Sequence, residues 1–268
     1  MNVREVVDVV LELNGKQRIE PTCDQLIEGD WGREVTGVVT TFMATVDVIR
    51  RAIEMGCNLI ITHEPVYFTG IDHPDWLADD AVYHRKKALI DENRLSIWRY
   101  HDHMHAGNED LIYAGLLKDL GWKEYLNTEL PHPQCYTIPP MSMADLVDFF
   151  KEKLGMDVVR IVGRMDMECS RIGILVGGGS LGLGDETMPA TLMNEQQLDV
   201  IVCGEITEWT LSAYVRDAAA LGLNKAIIIV GHERSEEPGM KELANLLQPL
   251  LKGVPVRFSD AREPFVYL

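Results

Sequence analysis

Four short apolar runs constrain this chain more than anything else in it: CNLIIT (57–62), LSIWRY (95–100), DVIVC (199–203) and KAIIIV (225–230). Each is rich in β-branched or aromatic residues and nearly devoid of polar alternation. That is the pattern of a strand covered on both faces, as in a parallel sheet. Helical patterns lie beside them: ATVDVIRRAIEMG (44–56), DDAVYHRKKALIDEN (79–93), SMADLVDFFKEKLG (142–155), EWTLSAYVRDAAALG (208–222) and PGMKELANLLQPLL (238–251). Asn108 reads as the cap of a further helix running to Gly121, with Glu109 and Asp110 in its first turn. With TGVVTTF (36–42) and RIGILVG (171–177) as additional strands, the alternation predicts an α/β fold with mostly parallel sheets. The stretch LPHPQCYTIPP (130–140) holds four prolines and predicts a junction between two domains, 1–130 and 131–268. The C-terminal end of the second is a candidate to pack back on the first.

The residues just after each run carry the chemistry. After CNLIIT come His63 and Glu64, and after LSIWRY comes HDHMH, with His101, His103 and His105. After DVIVC come Gly204 and Glu205, and after KAIIIV come Gly231 and His232, with Glu236 four residues on. Ligand sites of parallel α/β sheets lie beyond the carboxyl ends of the strands. Imidazoles and carboxylates collected there predict a site for zinc, iron, manganese or nickel. The set exceeds the needs of one tetrahedral ion and suits two. Within HDHMH, a continuing strand would align all three histidines, whereas a helical turn would pair His101 with His105 and turn His103 away. The nearby helix start favours the turn. His73, His84 and His132 read as solvated.

Composition narrows the function. There are 25 lysines and arginines against 42 aspartates and glutamates, a formal charge of −17, which disfavours nucleic acid and anionic membranes and suits capture of divalent cations. No run approaches the roughly 20 apolar residues that span a bilayer. The amphipathic start MNVREVVDVVLELNG is unlike a signal peptide, and the five scattered cysteines form no CxxC pair, which predicts a cytoplasmic protein with reduced thiols. GGGSLG (177–182) matches a dinucleotide fingerprint, but Gly184 and Pro189 fall where its helix should start, so a tight strand-to-loop crossing is the better reading. Ser180 lacks the setting of a nucleophile elbow.

Five blocks, in order, resemble the Nif-three-like family of dinuclear-metal proteins, whose members carry the name GTP cyclohydrolase I type 2. They are VTGVVTTFMATVDVIRRAIEMGCNLIITHEPVYF, WRYHDHMHAGNEDLIYAGL, ILVGGGSLG, IVCGEITEWT and GHERSEEPGM. The resemblance implies two α/β domains around a central metal-binding cleft, two divalent ions and a ring-shaped homohexamer. It places metal ligands at His63, Glu64, His101, His105, His232 and Glu236. Glu64 stands where the family usually has histidine and His105 where it has aspartate, so the exchange conserves four histidines and two carboxylates. Thr22-Cys23-Asp24-Gln25 departs from the family's tryptophan-containing block. The function implied is metal-dependent hydrolysis of a small molecule or nucleotide, with Glu205 and Glu208 as candidates for acid–base work or for orienting a histidine. The alternative is a non-catalytic metal-binding ring. Arg99, Arg164 and Arg234 are the nearest cations for a substrate.

Overall fold

The computed structural model describes residues 1–15, 19–127 and 133–268. Its strands are β1 (Leu26–Glu28), β2 (Val38–Thr41), β3 (Leu59–Thr62), β4 (Ser96–Arg99), β5 (Gln134–Ser142), β6 (Arg160–Gly163), β7 (Glu168–Leu175), β8 (Val200–Cys203), β9 (Ala226–Ile229) and β10 (Val256–Phe258). The helices are α1 (Val3–Leu13), α2 (Val46–Glu54), α3 (Ala81–Glu92), α4 (Asp102–His105), α5 (Leu111–Leu120), α6 (Met143–Leu154), α7 (Met188–Glu195), α8 (Leu211–Ala220) and α9 (His232–Leu247). The chain divides into two compact units, one of residues 1–115 and 237–262, the other of residues 116–236 and 263–268.

The first unit is built on a sheet of order β1-β4-β3-β2-β10, in which only the β1–β4 pairing is antiparallel. Its central strands are buried along their whole length, as continuous apolar runs require. Val39, Ile49, Ile60, Ile90 and Ile97 pack in one cluster on this sheet. The second unit's sheet has the order β5-β7-β8-β9-β6, with β7, β8 and β9 parallel and both edge strands antiparallel. Its core joins Leu175, Ile201, Val215 and Ile227. The α/β class expected from the sequence therefore stands, with sheets that are mixed rather than uniform.

Of the proline-rich stretch 130–140, residues 130–132, His132 among them, lie outside the described residues, and Gln134 begins β5. Pro139 and Pro140 sit where the β5–β7 register is interrupted, between Thr137 and Met141, so their missing N–H groups cost no ladder bond. Asp110, not Asn108, caps α5, its Oδ1 accepting from Ile112 N at 2.9 Å and Tyr113 N at 3.1 Å. Finally, α9 begins at His232 rather than at Pro238. Proline favours the first turn of a helix and is penalised inside one, which is why periodicity placed the start there.

Two buried features hold the first unit together near its ligand-bearing loops. Helices α5 and α9 approach backbone to backbone at Gly115 and Gly239. A Cβ on Gly239 would lie 2.6 Å from the Ile112 Cα and 3.0 Å from the Leu111 carbonyl oxygen. Gly239→Ala should lower stability by about 1–3 kcal/mol, measured by thermal or urea unfolding. Alanine at Gly121, where nothing lies within 4 Å but φ is +70°, should cost less.

Lys86 on α3 is 4% exposed and donates from Nζ to the Val66 carbonyl at 2.7 Å. Burial pulls its pKa down to about 8 against the opposing charge of Asp72. Between about pH 8 and the ordinary value of 10.5, the unfolded chain holds that proton more often than the folded one. Stability contributed at this position should therefore rise with pH across that window. Unfolding curves of the wild type and Lys86→Met at pH 7.5 and pH 10 should show the difference moving in favour of the wild type.

Candidate metal centre

The first unit's site grows from the ends of two adjacent parallel strands. Thr62 of β3 pairs with Arg99 of β4, and Tyr100 N donates to the Thr62 carbonyl at 2.9 Å. His63 thus emerges beside Tyr100 and His101. His101 caps the short helix α4 and His105 closes it, with His105 N donating to His101 O at 3.1 Å. The helical turn selects the pair four apart, as the spacing argument favoured. The rings of His63, His101 and His105 have centroids 4.6 to 5.0 Å apart. One ring nitrogen from each lies within 4.8 Å of the others.

Hydrogen bonds fix which nitrogens these are. His63 is fully buried, and its Nδ1 lies 3.1 Å from the Tyr100 carbonyl oxygen. A carbonyl only accepts, so Nδ1 carries the proton and Nε2 the lone pair. His101 Nδ1 lies 2.9 Å from Asp102 Oδ1, and His105 Nδ1 lies 2.8 Å from Asp110 Oδ2. All three imidazoles are held in the tautomer that offers Nε2 to a cation. Burial, reinforced by the neighbouring His63 and His105, depresses the pKa of His101. Glu64 adds a carboxylate, with Oε1 3.8 Å from His101 Nε2.

His103 is excluded by its contacts. Its Nδ1 donates to Asp24 Oδ2 at 2.8 Å and its Nε2 accepts from Ile19 N at 3.4 Å, so both nitrogens are engaged. The aspartates that support this site were not legible as such in the sequence. Asp24 accepts the backbone N–H groups of His101, Asp102 and His103, at 2.7 to 3.0 Å, and so satisfies the start of α4. Asp102 accepts from Cys23 N at 2.8 Å and from the Thr22 hydroxyl at 2.9 Å. Although burial pushes the Asp102 carboxyl up, these donors and His101 hold it well below the usual carboxylate range. The departure at residues 22–25 is thus a support for His101.

In the second unit, Leu175, Cys203 and Ile229 stand in register, so the chain leaves β7, β8 and β9 side by side. His232 Nδ1 lies 3.1 Å from Glu205 Oε1, and His232 Nε2 lies 3.1 Å from Glu236 Oε2, one helical turn further along α9. The glycine-rich stretch explains itself here. Gly177 has φ +53°, and a Cβ on it would overlap Glu236 Oε1 and lie 2.7 Å from His232 Nε2. Only a short turn, Gly179–Leu181, comes next, and α7 starts at Met188, so no helix N-terminus faces the loop as a dinucleotide fingerprint needs. Gly177 N donates to Ser235 Oγ at 2.8 Å, and Ser180 Oγ donates to the Glu205 carbonyl. Ser180 is therefore a structural hydroxyl. Glu208 is exposed in the turn ahead of α8 and, among the described residues, bonds to none of this group. His73 and His84 are exposed, Arg164 pairs with exposed Asp166, and Arg99 is buried.

Residues 1–264 match the family model Duf34/NIF3 (NGG1p interacting factor 3). The chain belongs to the Duf34/NIF3 family. A Clostridium perfringens relative named GTP cyclohydrolase 1 type 2 homolog is 25% identical over 256 residues, covering 91% of this chain and 90% of that one. The fold is also that of a Bacillus cereus protein related to NIF3, with a TM-score of 0.76 at 16% identity and coverage of 100% of this chain and 99% of the other. Staphylococcus aureus hypothetical protein SA1388 gives 0.71 at 21%, with the same coverage. The resemblance drawn from the five sequence blocks is thereby established at the level of family and fold.

The donor set of this Duf34/NIF3 chain fits divalent transition metals, because neutral imidazoles with anchored Nδ1–H groups and nearby carboxylates are what such ions select. Gly177→Ala should displace His232 and Glu236 and reduce bound metal. Gly178→Ala, whose added carbon would meet only Leu181 Cδ1 at 3.9 Å, should leave it unchanged. Elemental analysis of the two purified variants reads the difference.

Proposed function

We propose that this protein binds two divalent cations per chain, zinc, iron, manganese or nickel, and uses them to hydrolyse a small molecule or nucleotide. The ligands in this reading are His63, Glu64, His101 and His105 in the first unit, and His232 and Glu236 in the second. The observation that carries it is the convergence in the first unit: His63, His101 and His105 each present Nδ1 to a carbonyl or carboxylate oxygen at 2.8 to 3.1 Å, and one ring nitrogen of each lies within 4.8 Å of the others. His103 also sets Nδ1 against a carboxylate, but its Nε2 accepts from Ile19 N and it stands outside this group. Bound cations of this kind supply Lewis acidity, polarising a substrate oxygen and acidifying water.

The chain's own groups divide the remaining work. Asp102, Asp110 and the Tyr100 carbonyl orient the first unit's imidazoles, and Glu205 orients His232. Glu208, exposed and uncommitted, is the carboxylate assigned to proton transfer. The names of the relatives point to the imidazole ring of a purine nucleotide as substrate. Assembly into a homohexamer and a cytoplasmic setting belong to the same proposal. The setting is supported by five free cysteines and by the lack, among the described residues, of any helix long and apolar enough to cross a membrane. The charge of −17 argues against nucleic-acid and membrane partners.

Anaerobically purified protein should contain close to two metals per chain. His101→Ala and His232→Ala should each reduce that number, while His103→Ala leaves it intact. Loss of metal in His103→Ala with retention in His105→Ala would overturn the ligand assignment. Metal-loaded protein should turn over at least one member of a nucleotide panel. No turnover with zinc, manganese or iron would leave a metal-binding protein without hydrolase activity.

A further inference from the structure

Arg99 is the most constrained cation in the first unit. It is the last residue of β4, its side chain is 4% exposed, and four groups of the loop after β3 face its guanidinium. Nε donates to the His63 carbonyl at 3.2 Å, and Nη1 donates to the Gly70 carbonyl at 2.6 Å. Nη1 also lies 3.8 Å from Asp72 Oδ2, and Nη2 lies 3.8 Å from Glu64 Oε2. Asp72 is itself tied into the loop, accepting Tyr67 N at 2.6 Å from a left-handed backbone with φ 53°. A buried guanidinium is costly unless both its charge and its N–H groups are matched. Here two carbonyls accept its N–H groups, and two carboxylates 3.8 Å away balance its charge without a direct hydrogen bond.

We propose that Arg99 is a positioning residue for Glu64, fixing one carboxylate oxygen so that the other is presented beside His101, and that it thereby sets the site's affinity for oxygen-preferring cations. The inference rests on the metal-binding reading above. Glu64 Oε2 faces the guanidinium while Oε1 is the oxygen 3.8 Å from His101 Nε2, so the two oxygens already have separate roles. A planar fork gripped by two backbone carbonyls keeps its charge at a set distance from one Glu64 oxygen, which an ammonium on a flexible stem cannot do. A glutamate left to rotate would lose much of its value as a ligand, and loss of such outer support typically costs about 10–100-fold in metal affinity. Manganese favours carboxylate oxygen more than zinc does, since zinc is well served by imidazole.

The test is a double-mutant cycle on metal affinity, read by competition with a chromogenic chelator. Arg99→Lys should weaken Zn²⁺ binding about tenfold in the wild-type background and Mn²⁺ binding by a larger factor. On top of Glu64→Gln, the same change should cost less than about twofold for Zn²⁺, which the three imidazoles still bind. Equal losses in both backgrounds, or equal losses for the two metals, would show that Arg99 acts only by bracing the loop and would overturn the proposal. If wild-type protein binds neither metal, the metal-binding reading itself has failed, which is a separate outcome. Should Arg99→Lys not fold, Arg99→Gln with Asp72→Asn removes the buried cation together with one of its carboxylates. That pair must then show the same dependence on Glu64.

Discussion

An imidazole can give a lone pair to a cation only from a nitrogen that carries no proton, and the candidate metal centre of the first unit is arranged in keeping with that constraint. The proton must be placed on the other nitrogen and kept there, which requires an acceptor aimed at Nδ1. The Tyr100 carbonyl, Asp102 and Asp110 each fill that role for a different histidine, whereas His232 has a carboxylate oxygen 3.1 Å from each ring nitrogen. Each acceptor in turn has its own reason to be where it is. Tyr100 comes directly after β4 beside His63, Asp110 caps α5, and Asp102 is held by residues 22 and 23. One side chain often does two tasks: Asp110 satisfies a helix start with one oxygen and fixes a ring with the other.

The same economy governs the loop after β3. Beyond His63 and Glu64 the segment crosses the end of the sheet, where carbonyls have no ladder partner. Buried cations replace those partners: Lys86 takes the Val66 carbonyl and Arg99 takes those of His63 and Gly70. A cation in an apolar setting is unfavourable, as the depressed pKa of Lys86 shows, and the loop's Asp72 offsets part of that cost. The result is a ligand-bearing segment fastened at several points, which suits a site that must keep its geometry before a cation arrives.

Much of this was legible in the sequence. Continuous apolar runs identified β3, β4, β8 and β9, and the residues after each run identified the ligand-type side chains. The i, i+4 argument separated His103 from His101 and His105. The Gly184 and Pro189 positions were enough to doubt the dinucleotide fingerprint at 177–182. Less was legible where a residue's role depends on something distant in sequence. Asp24 lies 77 residues from the His101 amide it accepts, and no local pattern announces that bond. Arg99 looked like a candidate to meet a substrate, whereas burial turns it inward to Glu64 and Asp72. Edge strands β1, β5, β6 and β10 were missed because they are short, partly exposed or interrupted by proline, and so lack a clear period.

By itself, then, the sequence determined the α/β class, the family and the side chains available for chemistry, because periodicity, turn residues and motif spacing are local properties. The tertiary structure decided which nitrogen of His63, His101 and His105 faces an oxygen, which acids stand behind the His101 and His105 rings, and why Gly177 must be a glycine. Those outcomes depend on strand register and on close approach between distant segments. Register Thr62 to Arg99 and Leu175 to Cys203 to Ile229 is set by the sum of many apolar contacts. No single stretch of the chain encodes that sum.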